Sequence, residues 1–99
     1  MKELTQSWFK LKESSLNRTR IDIMAKILHI SVGGAKKTHI MYKCNLSYNQ
    51  LQTYLKALSD RKLLKKTFLE DNNKSFYETT SKGHMFLEAY SNIKGLLSI

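Results

Sequence analysis

Asn49, Gln50, Thr53 and Lys56 fall on one side of any helix that turns by about 100° per residue. Their side chains are two carboxamides, a hydroxyl and an ammonium group. That set can donate to and accept from base edges and phosphate oxygens, and it is slim enough to enter a major groove. Lys36, Lys37, Lys43 and Tyr42 precede it and Lys65, Lys66, Asn73 and Lys74 follow it, all suited to holding a phosphate backbone. This is the chemistry of binding rather than of reaction. His29, His39 and His84 lie at no metal-ligand spacing, and Cys44 is the single cysteine. The sequence shows no nucleophile elbow, phosphate loop or zinc-hydrolase motif. We therefore expect no enzyme activity, cofactor, metal or small-molecule substrate.

These residues need a helix that starts in the right place, and the stretch NLSYNQL at residues 45 to 51 supplies the start. Ser47 is a good N-cap, and Gln50 at the third helical position completes a capping box. Leu46 before the cap and Leu51 after it have the spacing of a hydrophobic staple. The spacing predicts a helix from about Tyr48 to Lys62, with Tyr48, Leu51, Leu55 and Leu58 as its buried stripe. Asn49, Gln50, Thr53, Lys56, Ala57 and Asp60 then face outward.

A shorter helix, about Thr38 to Cys44, precedes it and presents Ile40, Met41 and Cys44 inward. Lys36 and Lys37 stand at its start, where the helix dipole disfavours them unless a phosphate lies there. The two helices with their tight turn make a helix-turn-helix. A first helix runs from Thr19, its N-cap, with Asp22 in the first turn and Gly33-Gly34 ending it. Ile21, Met24, Ile27, Leu28 and Val32 form its apolar face, and His29 falls near the buried side. Residues 63–71 and 75–80 read as two strands joined by the turn residues Asp71, Asn72, Asn73 and Lys74. A last helix starts near Thr80 or Ser81. Phe86, Tyr90, Ile93 and Leu97 recur on it in steps of four and three, a coiled-coil rhythm suited to a second copy of the chain. His84 lies on its surface. Trp8, Phe9 and Leu11 belong to an N-terminal extension, residues 1–17, that forms either a docking turn or an unpacked tail.

Ninety-nine residues suit one small domain. The net charge of +9 calls for a polyanion, nucleic acid first and anionic membrane second. Its distribution separates a footprint from general solubility. Between Ala35 and Lys66, Lys36, Lys37, Lys43, Lys56, Arg61, Lys62, Lys65 and Lys66 face a lone acid, Asp60, so this segment holds +7 of the +9. Residues 75–99 are neutral. No apolar run approaches the roughly 20 residues needed to span a bilayer, and the first residues lack a signal peptide's pattern. We expect a cytoplasmic, nucleoid-associated protein with no membrane partner.

At residues 37 to 58, KTHIMYKCNLSYNQLQTYLKAL, the chain resembles an archaeal family of winged helix-turn-helix proteins. That family carries K-T-R-I-M-Y-x-A-N-L-S-Y and, later, T-x-K-G at the start of its last helix. The matches are Lys37, Thr38, Ile40, Met41, Tyr42, Asn45, Leu46, Ser47 and Tyr48, then Thr80, Lys82 and Gly83. His39 stands where the family has arginine, and the last helix is short. The resemblance, spanning residues 18 to 94, implies a winged helix in a transcriptional regulator or a small chromatin protein, dimerising through its last helix.

The expected fold is therefore mainly α with a small β-hairpin (α+β): three helices, a wing and a C-terminal dimerisation helix. Residues 18–80 would form the DNA-binding domain and residues 81–99 the dimer element. The expected partners are double-stranded DNA and a second copy. The rival readings are a winged-helix protein-interaction module and a non-specific architectural protein.

Overall fold

The computed structural model describes residues 19–69 and 74–97. The N-terminal extension with Trp8, Phe9 and Leu11, the hairpin turn with Asn73, and the side chain of Lys74 lie outside the described residues. The described elements run α1 (Arg20–Ile30), β1 (Ala35–Lys36), α2 (Lys37–Cys44), α3 (Tyr48–Asp60), β2 (Leu64–Leu69), β3 (Lys74–Thr79) and α4 (Ser81–Leu97). The strands make an antiparallel sheet in the order β1-β3-β2. This is the order of a winged helix.

Short-range hydrogen bonding sets each helix start. Thr19 caps α1, and its side chain accepts from Asp22 N while the Asp22 carboxylate accepts from Thr19 N, closing a capping box. Ser47 and Gln50 do the same for α3, at 2.9 and 3.1 Å. Leu46 and Leu51, the staple pair, are both buried. Between α2 and α3 the chain turns through Asn45 in the left-handed region (φ 52°), a conformation asparagine tolerates. Asn45 N donates to Tyr42 O and Leu46 N to Met41 O, the paired bonds of a Schellman turn. A second such turn ends α3, with Lys62 left-handed (φ 64°) and Leu63 N donating to Leu58 O.

The core lies between α1, α2, α3 and the sheet. Ile27, Leu28, Ile40, Cys44, Leu51 and Leu58 are fully buried, and Leu55, Leu64, Ala35 and Tyr77 nearly so. Several expectations need correction. Ile21 is 58% exposed and Val32 is exposed too, because one lies in the first turn and the other beyond the helix end at Ile30. Ile23, Met24 and Ile30 pack on the core in their place. His29 is exposed rather than packed. Helix α3 stops at Asp60, two residues short of the expected end. The two-residue β1, pairing Ala35 with Tyr77 and Lys36 with Phe76, was not foreseen.

Two motifs anchor α4. Thr80, its N-cap, donates its hydroxyl to Lys62 O at 2.6 Å and accepts from Gly83 N at 3.0 Å. Lys82 reaches back to Arg61 O at 3.0 Å. Thr80, Lys82 and Gly83 thus tie the start of α4 to the turn after α3. Farther along, the Tyr90 hydroxyl donates to the Asp22 carboxylate of α1, and Lys94 lies 3.4 Å from the same oxygen.

Burial raises the Asp22 carboxyl, but donation from Tyr90 and Thr19 and the Lys94 charge outweigh it and hold the group below its usual value. Burial first, then its bond to Asp22, pushes Tyr90 up to about 12. A depressed carboxyl contributes stability that is present above its unfolded value, about 3.9, and is lost as pH falls through the lower folded one. A raised phenol contributes stability that is present below about 10 and is lost as pH climbs towards 12. Thermal melts should therefore show a plateau near neutral pH with losses below about 4 and above about 10. Tyr90→Phe should lower the plateau and shrink its contribution to the alkaline loss; melts unchanged in both respects would contradict this coupling of α1 to α4.

Candidate nucleic-acid interface

The exposed side chains of α2 and α3 are mostly polar, and Lys43 and Lys56 are among them. On α3, Asn49, Gln50, Thr53 and Lys56 are all exposed, but they are not equally free. Gln50 Oε1 is held by the capping box, so a bidentate contact to adenine would require releasing the cap. Thr53 donates its hydroxyl to Asn49 O at 3.0 Å. Among the described residues, the side chains of Asn49 and Lys56 make no hydrogen bond or ion pair. On α2, Tyr42 is 81% exposed, and Lys43, like Lys36 of β1 just before the helix, is exposed without a partner among the described residues.

Tyr48 corrects the sequence expectation most clearly. Assigned there to the buried stripe, it is 58% exposed at the first position of α3. Its hydroxyl accepts from Gln52 Nε2 at 2.7 Å and from Lys37 Nζ at 3.4 Å, and the same ammonium lies 4.6 Å from the ring centroid. Gln52 first, then the donation and charge of Lys37, hold the hydroxyl below its ordinary pKa. The cluster joins the start of α2 to the first turn of α3 and fixes where Lys37 presents its charge. Helical spacing allows the Gln52 contact, four residues on, but could not find Lys37, which is eleven residues away on another element.

The wing is divided between two faces. Successive strand residues point to opposite sides, so Lys65 and Lys66 face opposite ways. Lys65 pairs with Glu78, opposite it on β3, at 3.4 Å. Lys66 lies over the rings of Phe68 and Tyr77. The basic segment 35–66 therefore does not present all its charge in one direction.

On α4, Phe86 packs against the core and Tyr90 is bonded to Asp22. Ile93 and Leu97 are exposed. Helical geometry places Met85, Ala89, Ile93 and Leu96 on a second, outward stripe, and each of them is exposed.

A helix-turn-helix followed by a β-hairpin wing defines the winged-helix class of folds. The winged helix-turn-helix family model matches residues 17–98, and the chain belongs to that family. It is similar to Sso10a-2, a DNA-binding protein from Sulfolobus solfataricus, at 26% identity over 81% of this chain and 85% of that one, with a TM-score of 0.66. It shares its fold with MepR, a transcription regulator of the Staphylococcus aureus multidrug efflux pump MepA, at 16% identity, 87% and 64% coverage and a TM-score of 0.68. The same holds for a variant of Lactococcus lactis ZitR in complex with DNA, at 20% identity, 81% and 55% coverage and a TM-score of 0.64. No curated protein sequence matches the chain. Among the described residues no helix is long and apolar enough to cross a membrane, and no cluster of three metal-ligating side chains occurs.

Proposed function

We propose that this chain binds double-stranded DNA as a homodimer and regulates transcription in the cytoplasm. Helix α3 enters the major groove with Asn49, Thr53 and Lys56 nearest the bases; Gln50 reaches them through its free Nε2. Lys36, Lys37, Tyr42 and Lys43 hold the backbone from α2, and Lys65, Lys66, Asn73 and Lys74 do so from the wing. Residues 18–80 form the DNA-binding unit and 81–99 the dimer element. The observation that carries this reading is that Lys36, Lys43, Asn49 and Lys56 are exposed with no side-chain partner among the described residues, within the segment holding most of the net charge. Sso10a-2, a DNA-binding protein, and ZitR, in complex with DNA, support it as proteins of similar fold.

Fluorescence anisotropy with a labelled duplex, titrated at several salt concentrations, tests it. With roughly six phosphate contacts, log K should fall against log salt with a slope of about −5. Salt-insensitive binding, or none at low salt, would contradict the proposal. One observation favours an architectural role over a site-specific one: Gln50 and Thr53 are engaged within α3, leaving few free base readers. Competition by unrelated duplex separates the two roles.

For the dimer, the outward stripe Met85, Ala89, Ile93 and Leu96 is the available apolar surface of α4. Charges placed there leave the monomer core untouched. Met85→Glu/Leu96→Glu should therefore convert a dimer to a monomer by light scattering, with its secondary structure retained. A wild type that is already monomeric at high concentration, or a variant that stays dimeric, would refute this interface.

A further inference from the structure

The wing carries an exposed aromatic ring that neither the core nor the α2–α3 surface uses. Alternation along β2 sets Leu64, Lys66 and Phe68 on one side, opposite Thr79, Tyr77 and Ser75 of β3. Leu64, Tyr77 and Thr79 are buried, so this is the side that packs on the helices. Towards the tip the packing ends, and Phe68 stands 66% exposed. Strand β1 pairs with β3 at Tyr77 and Phe76, so among the described residues the rung from Phe68 to Ser75 belongs to the two-stranded part of the sheet. Ser75 is too small to cover the ring across that rung.

The ring is held in place. Lys66, two residues back on the same side, sets its ammonium 5.3 Å from the Phe68 centroid and 6.0 Å from that of the buried Tyr77. A cation shared between an anchored ring and an exposed one restricts both side chains. The charge beside the ring also selects what it can meet. An apolar protein surface would have to bury the ammonium, whereas a duplex offers an apolar base stack walled by phosphates. Proteins that bend DNA through its minor groove present apolar wedges of this kind beside cationic side chains.

Resting on the duplex-binding proposal, we infer that Phe68 is such a wedge. It enters the minor groove flanking the α3 site, partly unstacks one base step and bends the duplex, while Lys66 meets the adjoining phosphate. The bend would bring more backbone against the basic surface, and it serves a regulator and an architectural protein alike.

Duplexes carrying 2-aminopurine at successive steps, together with a fluorescence-transfer measure of bending, test this on the full chain. Wild type should raise 2-aminopurine emission and bend the duplex by about 20° or more. Phe68→Ala, whose melt should match wild type because the ring is exposed, should lose both signals and bind about tenfold more weakly. Lys66→Ala should keep the emission while flattening the salt slope by about one. Undiminished emission and bending in Phe68→Ala would overturn the wedge, as would a wild type that binds with neither signal; either result leaves duplex binding standing. A wild type that binds no duplex overturns both proposals.

Discussion

Gly83→Ala should lower stability by about 3 kcal/mol, the upper end for overpacking a well-packed site. A Cβ built on Gly83 would lie 2.3 Å from Leu63 O and 2.5 Å from Thr79 Cγ2. The first of these is backbone, in the segment where Leu63 O also accepts from Thr80 N at 3.1 Å. It cannot swing aside as a long side chain would. Relief requires α4 to lift away from the turn after α3, which stretches the bonds from Thr80 to Lys62 O and from Lys82 to Arg61 O. For a domain of this size the melting temperature should fall by roughly 12–24 °C. Gly95→Ala is the natural control. It lies in the same helix with nothing among the described residues within 4 Å of a built Cβ, so the better helix propensity of alanine should leave stability unchanged or raise it by up to about 1 kcal/mol. Paired thermal melts check both; equal melting temperatures would mean that α4 does not dock as closely as the geometry requires.

The second large effect concerns binding without folding. Lys36, Lys43 and Lys56 are exposed and make no ion pair or hydrogen bond among the described residues. Neutralising them should leave the melt within about 0.5 kcal/mol of wild type. If each meets a phosphate, Lys36→Ala/Lys43→Ala/Lys56→Ala should flatten the salt slope by about 2.7 and weaken duplex binding roughly 10²- to 10³-fold at 0.1 M salt. Lys65→Ala is the informative comparison. Its ammonium already pairs with Glu78, so its loss should matter less. Anisotropy titrations across salt measure all of these. An unchanged slope in the triple variant would remove α2 and α3 from the interface.

What the sequence made legible was local. Both capping boxes join residues three apart, so Thr19 with Asp22 and Ser47 with Gln50 could be read directly or nearly so, and the second placed the start of α3 at Tyr48. The burial of Leu51, Leu55 and Leu58 followed from helical period, whereas Phe86, expected to face a second copy of the chain, packs against the chain's own core. The position of Tyr48 did not follow from it, because period assigns a side to the helix but not the point at which the neighbouring layer ends. Tyr48 sits at the rim, where its partners are Lys37 and Gln52 rather than the core. Ile21 failed for the same reason at the start of α1. Strand β1 has two residues, too few for a period. The tie made by Thr80 and Lys82 joins positions 18 and 21 residues apart, so the residues were visible as a motif while their structural task was not. For the binding surface, residue types were legible but availability was not: only the folded chain reveals that Gln50 caps a helix and that Lys65 is paired.

Amide chemical-shift mapping during titration with a short duplex tests the central claim most directly. The account predicts that the largest changes cluster on Tyr42, Lys43, Asn49, Thr53 and Lys56, with a second group along β2 at Lys66 and Phe68. Changes concentrated on α4, or scattered over the molecule with α3 unaffected, would contradict it.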